Sequence, residues 1–233
     1  MRSIAELDAL YYSDYVGVPQ RLDQAVRRHL RPDHVVLDAG AGSGGAFRHD
    51  YKDHSQLLIG VDRSAEITGN ELLDVAVLAD LRQLPFGQEV FDLVLAKCLF
   101  EHLERPVEVL QELRRVLRPG GHIVFHTPNK RHYVALAARV MPHRFHVWFN
   151  AKRGAQEHRF ETFYRANDPK TLRRLASRAG LRVTELELFE PKPAYLFFHP
   201  IAYRAGIAYE RLVAGHDWLA GVRCSLIGVF EAA

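Results

Sequence analysis

Cysteine is scarce: Cys98 and Cys224 are the only two in 233 residues. One pair so far apart supports no disulfide framework and suits a reducing compartment, so a cytoplasmic protein is expected. Long apolar runs are missing as well. No stretch approaches the roughly 20 residues that span a bilayer. The N-terminal MRSIAELDALYYSDY places Glu6, Asp8 and Asp14 where a signal peptide needs an apolar core. Internal repeats and low-complexity tracts are absent. Acidic residues are missing from one region only: Leu113 to Gln156 holds nine Lys or Arg and no Asp or Glu. The remaining residues carry 22 basic against 28 acidic side chains (31 − 9 and 28 − 0), so the net charge of +3 is a local excess and not a polyanion-coating surface.

What is present points to one α/β domain. A hydrophobic content of 48% over this length builds one buried core and falls short of two full domains. Short β-branched runs alternate with amphipathic stretches, as in βαβ units. The pattern predicts strands at 34–38, 57–62, 75–79, 91–97 and 122–126, a short helix from Gly45 to Tyr51, and a helix over 106–117 that Pro119-Gly120-Gly121 ends. Asn167 or Asp168 caps a further helix that stops at Gly180, LRVTELELF alternates like a strand, and a helix over 200–212 precedes a last strand at SLIGVF. The whole of 1–233 is expected to be a single domain, with an N-terminal helical cap at 1–30, a basic and aromatic insertion at 129–167, and a helical excursion at 190–220.

The stretch VVLDAGAGSGG satisfies Gly-x-Gly-x-x-Gly through Gly40, Gly42 and Gly45, and Asp62 lies 20 residues beyond Gly42. Both features suit a dinucleotide-binding unit, with Asp62 on a ribose and Arg63 available to a 2′-phosphate. Asp38 separates the readings. It stands two residues before Gly40, where strand becomes loop, so its carboxylate repels a pyrophosphate and attracts a ligand with an ammonium and a sulfonium. S-adenosylmethionine is such a ligand.

Four segments, LDAGAGSGG, LLIGVD, ADLRQLPFGQEVFDLVLAKCLFEHL and LRRVLRPGGHIVFHTPN, together resemble the class I S-adenosylmethionine-dependent methyltransferases, in particular the subgroup of ubiquinone and menaquinone biosynthesis methyltransferases (methyltransferase type 11). The resemblance implies a Rossmann-like doubly wound sheet of seven strands, order 3-2-1-4-5-7-6, with strand 7 antiparallel. It implies S-adenosylmethionine as cofactor and S-adenosylhomocysteine as product. By position, Asp38 resembles the acid that bonds the methionine amino group, and Gly40, Gly42 and Gly44 line the loop beneath the cofactor. Asp62 resembles the acid on the ribose hydroxyls, and Asp80 with Leu81 the pair that reads the adenine edge. Lys97 resembles a position that meets the methionine moiety through its backbone. Its side chain is expected to turn away or to meet the cofactor carboxylate. The competing structural readings are helix caps for Asp38 and Asp80 and a turn residue for Asp62. Three acids at consecutive strand ends favour ligand binding, because ligands of open α/β sheets sit there.

For the chemistry, His102 in CLFEHLERP is the first candidate general base and His126 in VFHTPN the second. Cys98 reads as a packing residue, since methyl transfer needs no covalent enzyme intermediate. No metal site is expected: His143-x-x-His146 has a plausible spacing but no supporting acid between residues 113 and 156. Phe145, Trp148, Phe149, Phe160, Phe163 and Tyr164, with Arg131, Arg144, Arg159 and Arg165, could form a lid over an aromatic or amphiphilic acceptor, anionic or not. The apolar run PAYLFFHPIAY leaves a peripheral membrane contact open beside simple burial. A small-molecule O, N or C methyltransferase, monomer or homodimer, is the first reading. An RNA or protein methyltransferase using the basic 113–156 stretch is the alternative, without an appended RNA-binding module to support it.

Overall fold

A computed structural model describes residues 3–45, 47–135 and 160–232. These residues fall into two compact units, one made of 1–18, 129–161 and 188–225, the other of 19–128, 162–187 and 226–233.

The second unit is built on a sheet of seven strands: β1 (Val35–Ala39), β2 (Leu57–Asp62), β3 (Val75–Leu78), β4 (Phe91–Lys97), β5 (Leu117–Pro128), β6 (Leu181–Phe189) and β7 (Ser225–Ala232). Their order is β3-β2-β1-β4-β5-β7-β6, with β7 antiparallel. The five parallel strands are apolar on both faces, as a sheet covered on both sides requires. Leu37, Val61, Leu93, Val94 and Phe125 are all fully buried. Phe125 stacks on Phe100 at 4.4 Å between ring centroids and packs on Phe230 at 4.7 Å. Gly228 makes room for it, since a Cβ there would come within 2.4 Å of the Phe125 ring.

Helices α2 (Val18–His29), α3 (Pro106–Val116) and α4 (Pro169–Arg178) accompany this sheet. Asp168, not Asn167, caps α4: its Oδ1 accepts from the Thr171 amide at 3.0 Å. Gly180 follows with φ +72, a left-handed stop that only glycine adopts cheaply. Strand β5 starts at Leu117, earlier than the sequence pattern suggests, because Leu117 pairs with Phe91 before Pro119-Gly120-Gly121 bulges out and pairing resumes at Leu93 with His122.

The helix expected between Gly45 and Tyr51 does not form. Phe47 takes a left-handed φ of +49, which an α-helix cannot contain, and Asp50 turns the chain by accepting from the Lys52 amide at 3.1 Å. A short 3₁₀ turn over Lys52–His54 follows instead.

In the other unit, α1 (Ile4–Tyr11) and α5 (Pro200–Ala214) bury Leu7, Tyr203 and Ile207 together. Ser3 and Glu6 cap α1 reciprocally. Asp8 accepts from Tyr203 Oη at 2.8 Å and from Lys192 Nζ at 3.1 Å. No helix among the described residues is long and apolar enough to cross a membrane.

Candidate active site

Parallel pairing puts the C-terminal ends of β1, β2, β3, β4 and β5 on one edge of the sheet, and Asp38, Asp62, Asp80, Lys97 and His126 all stand at those ends or one turn beyond. The loop after β1 is held down by backbone and by one side chain. The Gly40 amide donates to the Val61 carbonyl at 2.8 Å, and Asn70 Nδ2 donates to the carbonyls of Ala41 and Gly42 at 3.3 and 3.2 Å. Asn70 is buried. Nothing in the sequence pattern marked it, because its role is set by a contact 28 residues away.

Two glycines of the loop are needed for different reasons. Gly44, at φ +78, lies so close to Asn70 that a Cβ would meet its Oδ1 at 2.5 Å. Gly42, at φ +49, is uncrowded: a Cβ there would meet only Asp62 Oδ2, at an ordinary contact distance of 3.9 Å. Gly44 thus fits the loop to its own protein, and Gly42 leaves room above it.

The Asp62 carboxylate spans this room. Its Oδ2 accepts from the Gly42 amide at 2.9 Å and its Oδ1 from the Ser64 amide at 2.8 Å, which fixes its rotamer and still leaves lone pairs for a diol. Asp80 is gripped by Arg82, with Nη2 donating to Oδ2 at 2.7 Å. That hydrogen-bonded guanidinium holds the Asp80 carboxyl down at about 2. Leu81 beside it is buried, and Arg63 is exposed.

Asp38 is the unusual group. It is 3% exposed, its Oδ2 accepts from Lys97 Nζ at 2.7 Å, and its Oδ1 has no hydrogen-bond partner. Lys97 thus turns to Asp38 and neutralises it. A buried acceptor left unpaired costs about 1–3 kcal/mol, more when charged, so Oδ1 fits a site that receives a cationic donor from a ligand.

Beyond β4 the chain tightens sharply. Cys98 has φ +52, a strained value for a non-glycine residue, and its amide donates to the His126 carbonyl at 3.1 Å. His126 is buried, lies 3.4 Å from Cys98 Sγ through Nδ1, and takes the edge of the Phe47 ring at 5.2 Å. Burial alone pushes its imidazole down to about 4, and burial pushes the Cys98 thiol up. The pair is uncharged at neutral pH. His102 closes a 3₁₀ turn over Phe100–His102 and is half-buried.

Next to His102 in the chain stands a residue that no motif marks. Glu101 is 7% exposed, and desolvation raises its carboxyl to about 7. Its Oε2 accepts from Thr127 Oγ1 at 3.0 Å, and Asn167 Nδ2 donates to that hydroxyl at 2.6 Å. The Glu101 carbonyl also accepts from the amides of Phe163 and Tyr164, at 2.8 and 3.2 Å. A neutral-capable acid thus anchors the described end of the aromatic segment. A charged residue in FEHL reads as surface; only the fold reveals its burial.

Of the other expected groups, Arg165 donates to the Glu104 carbonyl at 2.7 Å and lies over the Phe163 ring. His143, His146, Arg144, Arg159, Phe145, Trp148 and Phe149 lie outside the described residues, as does the 136–156 part of the basic stretch.

The loop does not lead into a helix N-terminus, on which a dinucleotide pyrophosphate would sit. The acids at the strand ends remain as the polar groups of the site. The profile of a family described as a methyltransferase domain matches residues 37–125, the segment that carries Asp38, Asp62 and Asp80. Residues 37–125 are thus similar to a methyltransferase domain. It is 32% identical over 117 residues to a malonyl-[acyl-carrier protein] O-methyltransferase of Enterobacter lignolyticus, covering 48% of this chain and 43% of that one. It is 27% identical over 176 residues to the ubiquinone/menaquinone biosynthesis C-methyltransferase UbiE of Burkholderia mallei, covering 66% of this chain and 69% of the relative. The chain thus spans under half of the first relative's length and about two thirds of the second's. A solved S-adenosylmethionine-dependent methyltransferase from Methanosarcina mazei superposes with a TM-score of 0.60 at 15% identity, over 89% of this chain and 96% of the other, a likeness of fold.

Proposed function

We propose that the protein transfers a methyl group from S-adenosylmethionine to a small, aromatic or amphiphilic acceptor, leaving S-adenosylhomocysteine. The observation that carries this reading is the buried, unpartnered Oδ1 of Asp38 at the end of β1, just before the glycine loop. When bound, the cofactor supplies a sulfonium methyl open to in-line attack by an acceptor lone pair.

The protein's own groups orient the two partners. Asp38 Oδ1 accepts from the methionine ammonium, while Lys97 keeps the buried carboxylate balanced and lies within reach of the cofactor carboxylate. Asp62, its rotamer set by the Gly42 and Ser64 amides, accepts from the ribose hydroxyls. Asp80, ionised well below neutral pH by Arg82, accepts from the adenine amine, and Leu81 packs beside the ring. Arg63, exposed beyond β2, remains at the rim.

His102 takes the acceptor proton where the acceptor carries one. His126, with its imidazole near 4, is the weaker base, and its role is to keep that end of the site uncharged. Acceptor selection is assigned to 129–167, of which Phe163 and Tyr164 hang from the Glu101 carbonyl.

Calorimetry with S-adenosylhomocysteine tests the cofactor part. Asp62→Ala should weaken binding about 10- to 100-fold, the loss of one or two hydrogen bonds to a charged group. An unchanged affinity would reject the assignment. His102→Ala should lower turnover of an identified acceptor while leaving that affinity within about twofold; equal losses in both would make His102 a structural residue.

A further inference from the structure

Three side chains with metal-ligating chemistry meet in the first unit, and none of them is among the residues assigned to the cofactor. They are His132, Glu190 and Cys224, and their ligand atoms all lie within 4.8 Å of one another. The sequence search for metal looked for an acid near the histidine-rich segment and found none between residues 113 and 156. Glu190 and Cys224 come from elsewhere: Glu190 follows the last residue of β6, Cys224 precedes the first of β7, and His132 lies four residues past β5. Those three strands are neighbours, and the reversed direction of β7 brings its start level with the ends of the other two.

The three donors are already organised. His132 Nε2 lies 3.1 Å from Glu190 Oε1, and Glu190 Oε2 accepts from the Cys224 amide at 2.7 Å. His132 and Cys224 are buried, and the Glu190 side chain is 5% exposed. Asn129 ties the two backbone segments together: its amide donates to the Cys224 carbonyl at 2.7 Å, its side chain to the carbonyls of Arg223 and Gly221 at 2.8 and 2.9 Å, and its own carbonyl accepts from His132 at 3.1 Å. The rings of Tyr133 and Tyr209, 4.9 Å apart, pack against the imidazole and shield it.

We propose that His132, Glu190 and Cys224 form a binding site for one Zn²⁺ ion, with water in the fourth position. Imidazole nitrogen, carboxylate oxygen and thiolate sulfur are the donor types zinc takes, at about 2.0–2.3 Å, which places tetrahedral ligands about 3.3–3.8 Å apart. The present spread closes to that range by a contraction of about 1 Å, within the reach of side-chain rotation. Charge also balances. One glutamate and one thiolate cancel Zn²⁺, so the loaded site is neutral, whereas an ionised glutamate alone at this depth is costly. On binding, the Cys224 thiol proton leaves to solvent. The His132 proton moves from Nε2 to Nδ1, which gives up its long 3.4 Å contact from the Val134 amide.

The test uses the full chain, freed of metal with a chelator and refilled with Co²⁺ or Zn²⁺. One equivalent of Co²⁺ should produce a thiolate-to-cobalt charge-transfer band in the near ultraviolet, and Zn²⁺ should displace it. Cys224→Ser should abolish the band, and Cys98→Ser should retain it. Zn²⁺ affinity, read by competition with a chromophoric chelator, should fall at least about 100-fold in His132→Ala and in Glu190→Gln, since even outer partners of a metal ligand are worth 10–100-fold. Glu190→Gln keeps the side-chain shape and decides the matter if Cys224→Ser does not fold, as checked by circular dichroism. The proposal is overturned if the parent chain binds no stoichiometric Zn²⁺, or if all three variants bind as the parent does, which would place the metal elsewhere in the chain.

Discussion

The two halves of the strand-end site hold their acids in opposite electrostatic conditions. At β1 and β2, Asp38 and Asp62 are engaged by charge and by backbone: a lysine ammonium on one, two loop amides on the other. Just beyond β4 and on β5, Glu101 and His126 are buried, and desolvation drives both toward their neutral forms. The first half suits a permanently cationic ligand. The second suits an uncharged acceptor and a proton in transit. One sheet edge therefore carries both a charge-recognising and a charge-suppressing environment, separated by the strained turn at Cys98.

The largest expected effect breaks the first half. Asp38→Ala leaves the Lys97 ammonium buried without its partner, which should cost about 3–5 kcal/mol of stability. The double variant Asp38→Ala/Lys97→Met should recover most of that in urea unfolding. A loss below about 1 kcal/mol for the single variant would show that solvent reaches the pair and that the contrast between the halves is weaker than described.

Glu101 sharpens the second half through pH. Its folded carboxyl, about 7, lies above its unfolded value of 4.5. Between these values the unfolded chain holds fewer protons than the folded one, so stability falls as pH rises from about 4.5 to 7, by about 3 kcal/mol in all. Below 4.5 both states are protonated and the penalty vanishes; above 7 it is complete. Glu101→Gln should remove this slope while keeping the acceptor for Thr127, which unfolding midpoints at pH 5 and pH 8 would reveal. Equal slopes in parent and variant would mean that Glu101 is charged in the fold.

The smallest effect concerns Asp80, which lies nearer solvent. Arg82→Ala should leave stability nearly unchanged, as for other exposed pairs, while the Asp80 carboxyl, held at about 2, should rise toward its ordinary range in an NMR titration. A stability loss comparable with that of Asp38→Ala would remove the distinction between a surface pair and a buried one.

Much of this was legible in the chain itself. The alternation of apolar runs marked every strand, because a covered parallel strand is apolar along its length. Gly180 and Asp168 marked helix α4 through backbone rules that act within four residues. The acids Asp38, Asp62 and Asp80 could be found because each stands at the end of a strand or just beyond it. The helix after Gly45 was misread for the same reason: the sequence pattern allows it, and Phe47 in a left-handed conformation forbids it. Lys97 could be placed on its strand but not paired, since its partner lies 59 residues away.

The sequence alone determined the order of strands and turns, the glycine loop and the acids that follow it, because these depend on local periodicity and backbone sterics. Only the tertiary structure decided which charges are buried and which side chains from distant segments share a site. Asn70 on the loop, Glu101 with Thr127 and Asn167, and His132 with Glu190 and Cys224 are all of this kind. Burial and long-range contact are properties of the packed chain, and no spacing along the sequence encodes them directly.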